Sequence, residues 1–542
     1  MRARLLLSVF GLLLVTIACT PATTPPAAPA AADAQAKYGG ILNLRLANGD
    51  FFDFDMSYTA KSQPNPKATS LAYNGLLGFK HGPDIAYGDL ILVPQIAERW
   101  QASPDARTFT FTLRKGVKFA DLPPVGGRAV TAADVKWSLE YWSRTGEFKG
   151  KGLPVGLFDY MLEGLTRIDT PDPATVTLSF DKPFAPMLNY AATVNLPVVP
   201  REIYEQDKHL KNRLVGTGPF QLDQASSQIG ARWVFKKNPN YWDQGHPYVD
   251  EIRYLVLQDD TTALAAFKTK QIDIFSPTEA QGEQVKREVT EATVLTNVAP
   301  APQTLYIGVS HPPFNDVRLR RALSLAIDRN EFVSTFSGGK GGWAMAGAFP
   351  DTWSQAEIRG LLQYDPQQAR SLLAEAGYSN GLDVDFLMRG QPDLITRSQA
   401  ELLQAQLKKV GFNLKIRITP DKAAGTKNLY DGAFDLIILT AVISADVDSF
   451  LYGRYHSTSA TNYSKVNDPK LDQMIEAQRR EADPAKRREL VRQATRYLNI
   501  DTTLGLVLYN GMAYDAYQPY VKNFYPRWDL EDVGAADIWL AK

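Results

Sequence analysis

Cysteine is nearly absent: Cys19 is the single cysteine in 542 residues. Intrachain disulfides are therefore excluded, and beyond residue 19 no thiolate is available as metal ligand or nucleophile. Long apolar runs are also missing once LLLSVFGLLLVTIA (residues 5–18) has passed, and that run is too short to span a bilayer as a helix. Net charge is absent as well. The 59 Lys and Arg residues balance 59 Asp and Glu, which removes any global attraction to nucleic acid or to an anionic surface. The five histidines, His81, His209, His246, His311 and His456, stand far apart and none has metal-ligand spacing, so neither a metal nor a cofactor is expected. There is no GxSxG elbow. SGGKGG (residues 337–342) has no Ser or Thr after Lys340 and is read as a flexible loop rather than a phosphate cradle. Gly216 and Gly218 in GTGPF suit a tight turn or a hinge crossing. The carboxylate pairs Asp53 with Asp55 and Asp446 with Asp448 lack the glycine and distal Glu of a calcium loop. No catalytic constellation emerges, and an enzyme is not expected.

The N-terminal run follows Arg2 and Arg4 and ends at Ala18, the pattern of an export signal. A cysteine directly after that small residue resembles the lipid acceptor of a bacterial lipoprotein, with the departure that Thr16 stands where Leu or Val is usual. TPATTPPAAPAAADAQAK (residues 20–37) has almost no large apolar side chain, so it reads as a partly extended tether.

A chain of this length exceeds one hydrophobic core, and two or three lobes are expected. TFTFTL (108–113) and TVTLSF (175–180) alternate as half-buried strands of a small antiparallel sheet. Thr131 and Asp134 form a capping box for a helix with Val135, Leu139 and Trp142 on one face. Asp316 caps a helix presenting Leu319, Leu323 and Ile327, and Asp365 with Pro366 starts another that Gly377 ends. FNLKIRITP and FDLIILTAV read as strands, which makes residues 300–500 an α/β lobe. The basic run AKRRELVRQATR (485–496) follows Asp483 and Pro484, and its Leu490, Ala494 and Leu498 set the cations on the wet face of an amphipathic helix.

The order of motifs resembles the family five extracellular solute-binding proteins, the peptide-binding type serving ABC importers. AERWQASPDARTFTFTLRKGVKFADLPPVGGRAVTAADVKWSLEYW (97–142) carries most of the likeness. GTGPF (216–220), KKNPNYW (236–242), YVDEI (248–252), PPFNDVRLRRALSLAIDR (312–329) and LLAEAGY (372–378) follow in order. The resemblance implies an α/β, two-lobed, type II periplasmic-binding fold with an extra small α+β subdomain in lobe one. Residues 1–18 are then the signal and 19–37 the lipidated Cys19 with its tether. Segments 38–85, 190–299 and 504–542 make lobe one, 86–189 its extra subdomain and 300–503 lobe two. It further implies a monomer that binds a peptide or other small molecule, docks on an ABC permease and is held at the bilayer by its lipid, with no nucleic-acid partner.

The same resemblance nominates the ligand contacts. ISADVDSFLYGRYHS (443–457) is similar to the region where peptide-binding members hold the ligand's α-amino group, which points to Asp446 with Asp448 beside it, although the flanking Gly-Trp and Asp-Pro are missing. Asp50 and Phe51 follow the first strand. Ser276 follows QIDIF, Tyr306 sits where the chain enters lobe two, Trp343 beside the glycine-rich loop, and Tyr509 and Asn510 where the chain returns. Amphipathic rings suit a site that must stack on a solute and hydrogen-bond it.

Overall fold

The computed structural model describes residues 36–47, 51, 53–56, 66–153, 156, 158–299, 301–347, 352–441, 445–527 and 534–542. Cys19 and Asp50 lie outside the described residues.

Two mixed sheets organise the chain. The first has seven strands in the order Thr293–Val298, Met512–Tyr517, Ile274–Phe275, Ile41–Leu46, Glu251–Val256, Arg232–Lys237, Phe220–Leu222. Its middle strand, ILNLRL, runs parallel to both neighbours and buries Leu42, Leu44 and Leu46, every second residue. The second sheet has five strands in the order Phe412–Ile418, Leu382–Met388, Leu436–Thr440, Gln303–Ile307, Leu506–Tyr509. Both strands read from FNLKIRITP and FDLIILTAV are present. LIILT sits mid-sheet with its first three residues all buried, the apolar run expected of a strand covered on both faces.

Each sheet has its own core, one including Leu42, Phe111 and Phe235, the other Leu305, Phe386 and Leu436. The chain crosses from the first sheet to the second between Val298 and Gln303 and returns between Tyr509 and Met512. The two crossings lie side by side: the Ala299 N–H donates to the Gly511 carbonyl at 2.8 Å, and Gln303 pairs with Tyr509.

A four-stranded antiparallel sheet, Ala97–Ala102, Thr108–Leu113, Thr175–Phe180, Leu165–Asp172, forms the smaller unit read from the alternating threonines. Phe109 and Phe111 are buried at 2% and 0% exposure, each worth roughly 1.5–3 kcal/mol of apolar transfer. The helix Ala132–Ser143 lies against this sheet with Val135, Leu139 and Trp142 buried, and its Asp134 accepts the Thr131 N–H at 2.8 Å.

GTGPF is not a crossing. It packs against the end of the helix Pro66–Ala72: Gly218 donates its N–H to the Ala72 carbonyl at 2.9 Å, and Thr217 and Trp242 both donate to the Asn74 amide oxygen. A Cβ on Gly218 would stand 2.5 Å from the Ala72 carbonyl carbon and from the Leu71 oxygen, both backbone atoms. Gly218→Ala should therefore cost about 1–3 kcal/mol by overpacking. Urea titration checks this, and a midpoint equal to wild type would show that the helix end yields freely.

Candidate functional site

The seven-stranded and five-stranded halves meet between residues 160–190 and residues 446–487, and the contact is polar at its centre. Asp446 is 2% exposed and Asp448 0%. Asp446 binds Arg487 through both oxygens, at 2.5 and 3.0 Å, and also accepts from the Asn189 amide at 2.8 Å and from the Asp448 N–H at 2.9 Å. Asp448 accepts the Tyr190 hydroxyl at 2.8 Å and the Gln478 amide at 2.7 Å, with Arg479 Nε at 3.1 Å. Arg479 reaches on to the Tyr160 carbonyl at 2.7 Å and lies 3.9 Å from the Tyr452 ring centroid. Asn189, Tyr190 and Tyr160 come from the seven-stranded half, so the network spans the junction. The Ala185 N–H adds a backbone bond to the Arg479 carbonyl at 2.8 Å.

Burial alone would raise the Asp446 pKa, but the Arg487 charge and hydrogen bonds, the Asp448 N–H and the Asn189 amide outweigh it and hold the carboxyl below its usual range. Asp448 is shifted the other way: burial raises it, Arg479 works against that, and the neighbouring Asp446 charge adds to the rise. The sequence pattern places Arg487 with the other cations of its run on the wet face of the helix. The helix Pro484–Arg496 forms as read, with Asp483 accepting the Lys486 N–H at 2.8 Å; Ala494 and, just beyond the helix, Leu498 are buried as inferred, Leu490 is half-buried, and Val491 and Thr495 join the buried stripe. That register turns Arg487 inward. Both aspartates are thus engaged within the protein, and neither faces solvent.

The remaining nominated residues are spread out. Phe51 is 2% exposed and packs on Trp233 and Tyr254 at 5.6 and 5.5 Å between centroids, inside the core of the seven-stranded half. Tyr509 is also core: it stacks on Phe336 at 5.8 Å, and its hydroxyl accepts the Gln399 amide at 2.6 Å. Trp343 is 5% exposed and donates its indole N–H to Asn330 at 3.2 Å. Asn510 bonds Gly342 in both directions along the backbone, while its amide oxygen is enclosed without a hydrogen-bond partner among the described residues. Ser276 is exposed and donates to Asp515 at 2.9 Å. Burial raises the Asp515 pKa, with Ser276 and Lys67 opposing. Tyr306 is buried at 2%, its phenol pushed up to about 12 by burial, and it meets Tyr463 edge-on at 5.8 Å. Asn189, Tyr190, Arg479 and Arg487 escaped the sequence reading because the aspartates they bind stand between 31 and 258 positions away.

Elsewhere, a recess of about 890 Å³ opens beside the strand Phe220–Leu222, lined by Leu122, Asp207, Arg213 and Lys236. All of these come from the seven-stranded half, so it is not shared between halves. Among the described residues no cluster fit for a metal ion occurs, and no helix is long and apolar enough to cross a membrane.

The family model for bacterial extracellular solute-binding proteins, family 5 Middle, matches residues 92–462. The dipeptide-binding protein of Escherichia coli (strain K12) is 26% identical over 508 residues, covering 88% of this chain and 89% of that protein. Among solved structures, the periplasmic binding protein DppA from Helicobacter pylori in complex with peptide STSA superposes with a TM-score of 0.79 at 23% identity, covering 93% of this chain and 99% of the other. The binding protein AgaA from A.tumefacien R10, in complex with agropinic acid, gives 0.78 at 24% identity with the same coverage. The shared architecture is two-lobed α/β with an extra α+β subdomain in lobe one.

Proposed function

This chain belongs to the bacterial extracellular solute-binding proteins of family 5, and we propose that it captures a small solute between its two lobes and delivers it to the membrane permease of an ABC importer. The observation that carries this reading is that two separately cored lobes are joined by two adjacent crossings, at residues 298–303 and 509–512. Such a joint permits opening and closing about a solute held between the lobes. A solute that touches both lobes favours the closed form, which the permease then reads. The protein acts as a monomer, changes nothing chemically, and is measured by affinity.

An oligopeptide is the favoured solute, supported by the dipeptide-binding relative. A non-peptide solute is the second reading. The carboxylate nominated to hold a peptide amine, Asp446, already carries Arg487, and one structural neighbour was solved with agropinic acid. Calorimetry with di- and tripeptides and their N-acetylated forms tests the choice. Tight binding of free peptides with loss on acetylation supports a peptide held by its amine; equal binding of both forms moves the solute class away from amine-anchored peptides.

Cys19 is proposed to carry the lipid that keeps the protein at the outer face of its membrane. Cys19→Ala should move the protein from the membrane pellet to the soluble fraction with unchanged affinity for solute. Acyl chains bury methylenes at about 0.8 kcal/mol each, and more than one chain makes attachment stable. A variant still firmly in the pellet contradicts the anchor.

A further inference from the structure

The guanidinium of Arg479 lies between a ring of each lobe. Its Cζ sits 3.9 Å from the Tyr452 centroid on its own side and 4.9 Å from the Phe184 centroid on the other. Its polar contacts cross the junction as well: Nη1 donates to Glu163 at 2.5 Å, Nη2 donates to the Tyr160 carbonyl at 2.7 Å, and the Arg479 carbonyl accepts the Ala185 N–H at 2.8 Å. Within its own lobe it faces Asp448 through Nε at 3.1 Å. The opposing residues flank a hairpin of the four-stranded sheet. Tyr160 and Glu163 precede the strand Leu165–Asp172, and Phe184 and Ala185 follow its partner Thr175–Phe180. The Asp181 N–H closes this hairpin on the Gly164 carbonyl at 2.9 Å, so its two ends emerge side by side. Phe184 stacks on Phe180 at 4.9 Å between centroids. The ends of the hairpin thus make a socket for one arginine.

Arginines that serve only the fold of lobe two keep to it. Arg320 bonds the carbonyls of Thr502 and Phe314, and Arg329 those of Val507 and Ser324. Arg479, buried like them, directs its fork at the other lobe. Burial lowers its pKa, but Asp448, Tyr190, Glu163 and Tyr452 outweigh that and leave a net rise, and Tyr190 and Glu163 stand across the junction. None of these bonds involves the crossings at residues 298–303 and 509–512, the covalent joints between the lobes. Rotation about the crossings displaces the two sides of the contact relative to each other. Hydrogen bonds reach only to about 3.2 Å, so such a motion breaks them.

We propose that Arg479, held in the socket of Tyr160, Glu163 and Phe184, is a latch that favours the closed form before any solute arrives, so that the four-stranded unit sets the balance between open and closed lobes. The assignment rests on the solute-capture reading, in which the lobes part and close. A planar fork bonded at both Nη atoms and covered on both faces is the geometry in which arginine binds most selectively. On opening, water replaces Glu163 and the Tyr160 carbonyl, while Asp448 stays with Arg479 as its counter-charge. No charge is left buried and unpaired, which keeps the latch reversible. A solute that prefers the closed form then binds more tightly the larger the fraction already closed, because the apparent dissociation constant is the intrinsic one divided by that fraction.

Glu163 is the residue to change, since its side chain is 51% exposed and its replacement leaves the Arg479 to Asp448 pair in place. Glu163→Lys turns attraction into repulsion towards Arg479, and Glu163→Gln removes the charge alone. The solute-free proteins are compared with wild type by small-angle scattering and melting temperature, then titrated by calorimetry with Ala-Phe and Ala-Ala-Phe. Solute-free Glu163→Lys should have a larger radius of gyration than wild type, with Glu163→Gln between them. A peptide that binds wild type should bind Glu163→Lys on the order of 10-fold more weakly. Expansion of solute-free Glu163→Lys supports the latch even where neither peptide binds; expansion with undiminished peptide affinity overturns it. A solute-free Glu163→Lys with the wild-type radius, where wild type contracts on peptide, overturns the latch and leaves solute capture standing. A lower melting temperature at unchanged radius makes the contact structural and also overturns it. If that radius is unchanged and no member of a wider di- and tripeptide library contracts wild type either, the lobes do not part; that counts against solute capture, and the latch falls with it.

Discussion

Asp446→Ala should destabilise the protein by about 3–5 kcal/mol, the usual consequence of removing one partner from a buried ion pair. The variant leaves Arg487 in place, 16% exposed and held against Gln478, with no carboxylate to face. It also removes the acceptor for Asn189, so the junction with the other lobe loosens. Arg487→Ala should cost a similar amount by leaving Asp446 uncompensated, and the double variant should cost less than the sum, because two groups that pair with each other are coupled. Urea titration of the three variants measures this. A loss under about 1 kcal/mol together with a large fall in solute affinity would return Asp446 to the ligand.

The pH dependence follows from the direction of the Asp446 shift. A carboxyl held below its unfolded value contributes stability that is present above about pH 4, the ordinary aspartate range, and lost as pH falls through the lower folded value. Asp448, shifted up chiefly by burial, takes up its proton first on acidification, and that uptake favours the folded form. Mild acid should therefore leave the junction intact, and failure should begin only below about pH 4.

Saturating solute should raise stability by roughly 2.7 kcal/mol at 100 times its dissociation constant, through mass action alone. The gain requires that solute bind the folded, closed form and not the unfolded chain. The lobes are already in contact through Tyr190 with Asp448, Asn189 with Asp446 and the Ala185 to Arg479 backbone bond. A solute contacting both sides adds its own contacts to these bonds. Scanning calorimetry across a solute titration shows the effect as a melting temperature that climbs with the logarithm of concentration.

Local rules were legible where the chain solves its own problem locally. Phe109 and Phe111 alternate with threonines, and Asp316 and Asp365 cap the helices they precede, the latter accepting the Gln368 N–H at 2.8 Å. What stayed hidden depends on partners far along the chain. Nothing around Tyr509 shows that Gln399, 110 positions earlier, will take its hydroxyl and make it core. Nothing in AKRRELVRQATR shows which cation will turn inward, since several lie close to the face that buries Val491, Ala494 and Leu498, and only Arg487 finds a buried carboxylate there.

Small-angle scattering of the protein freed of solute by unfolding and refolding, recorded without and then with a solute shown by calorimetry to saturate it, tests capture between closing lobes most directly. The radius of gyration should fall on addition, as an open population is drawn into the closed form. Identical curves at proven saturation would contradict the account.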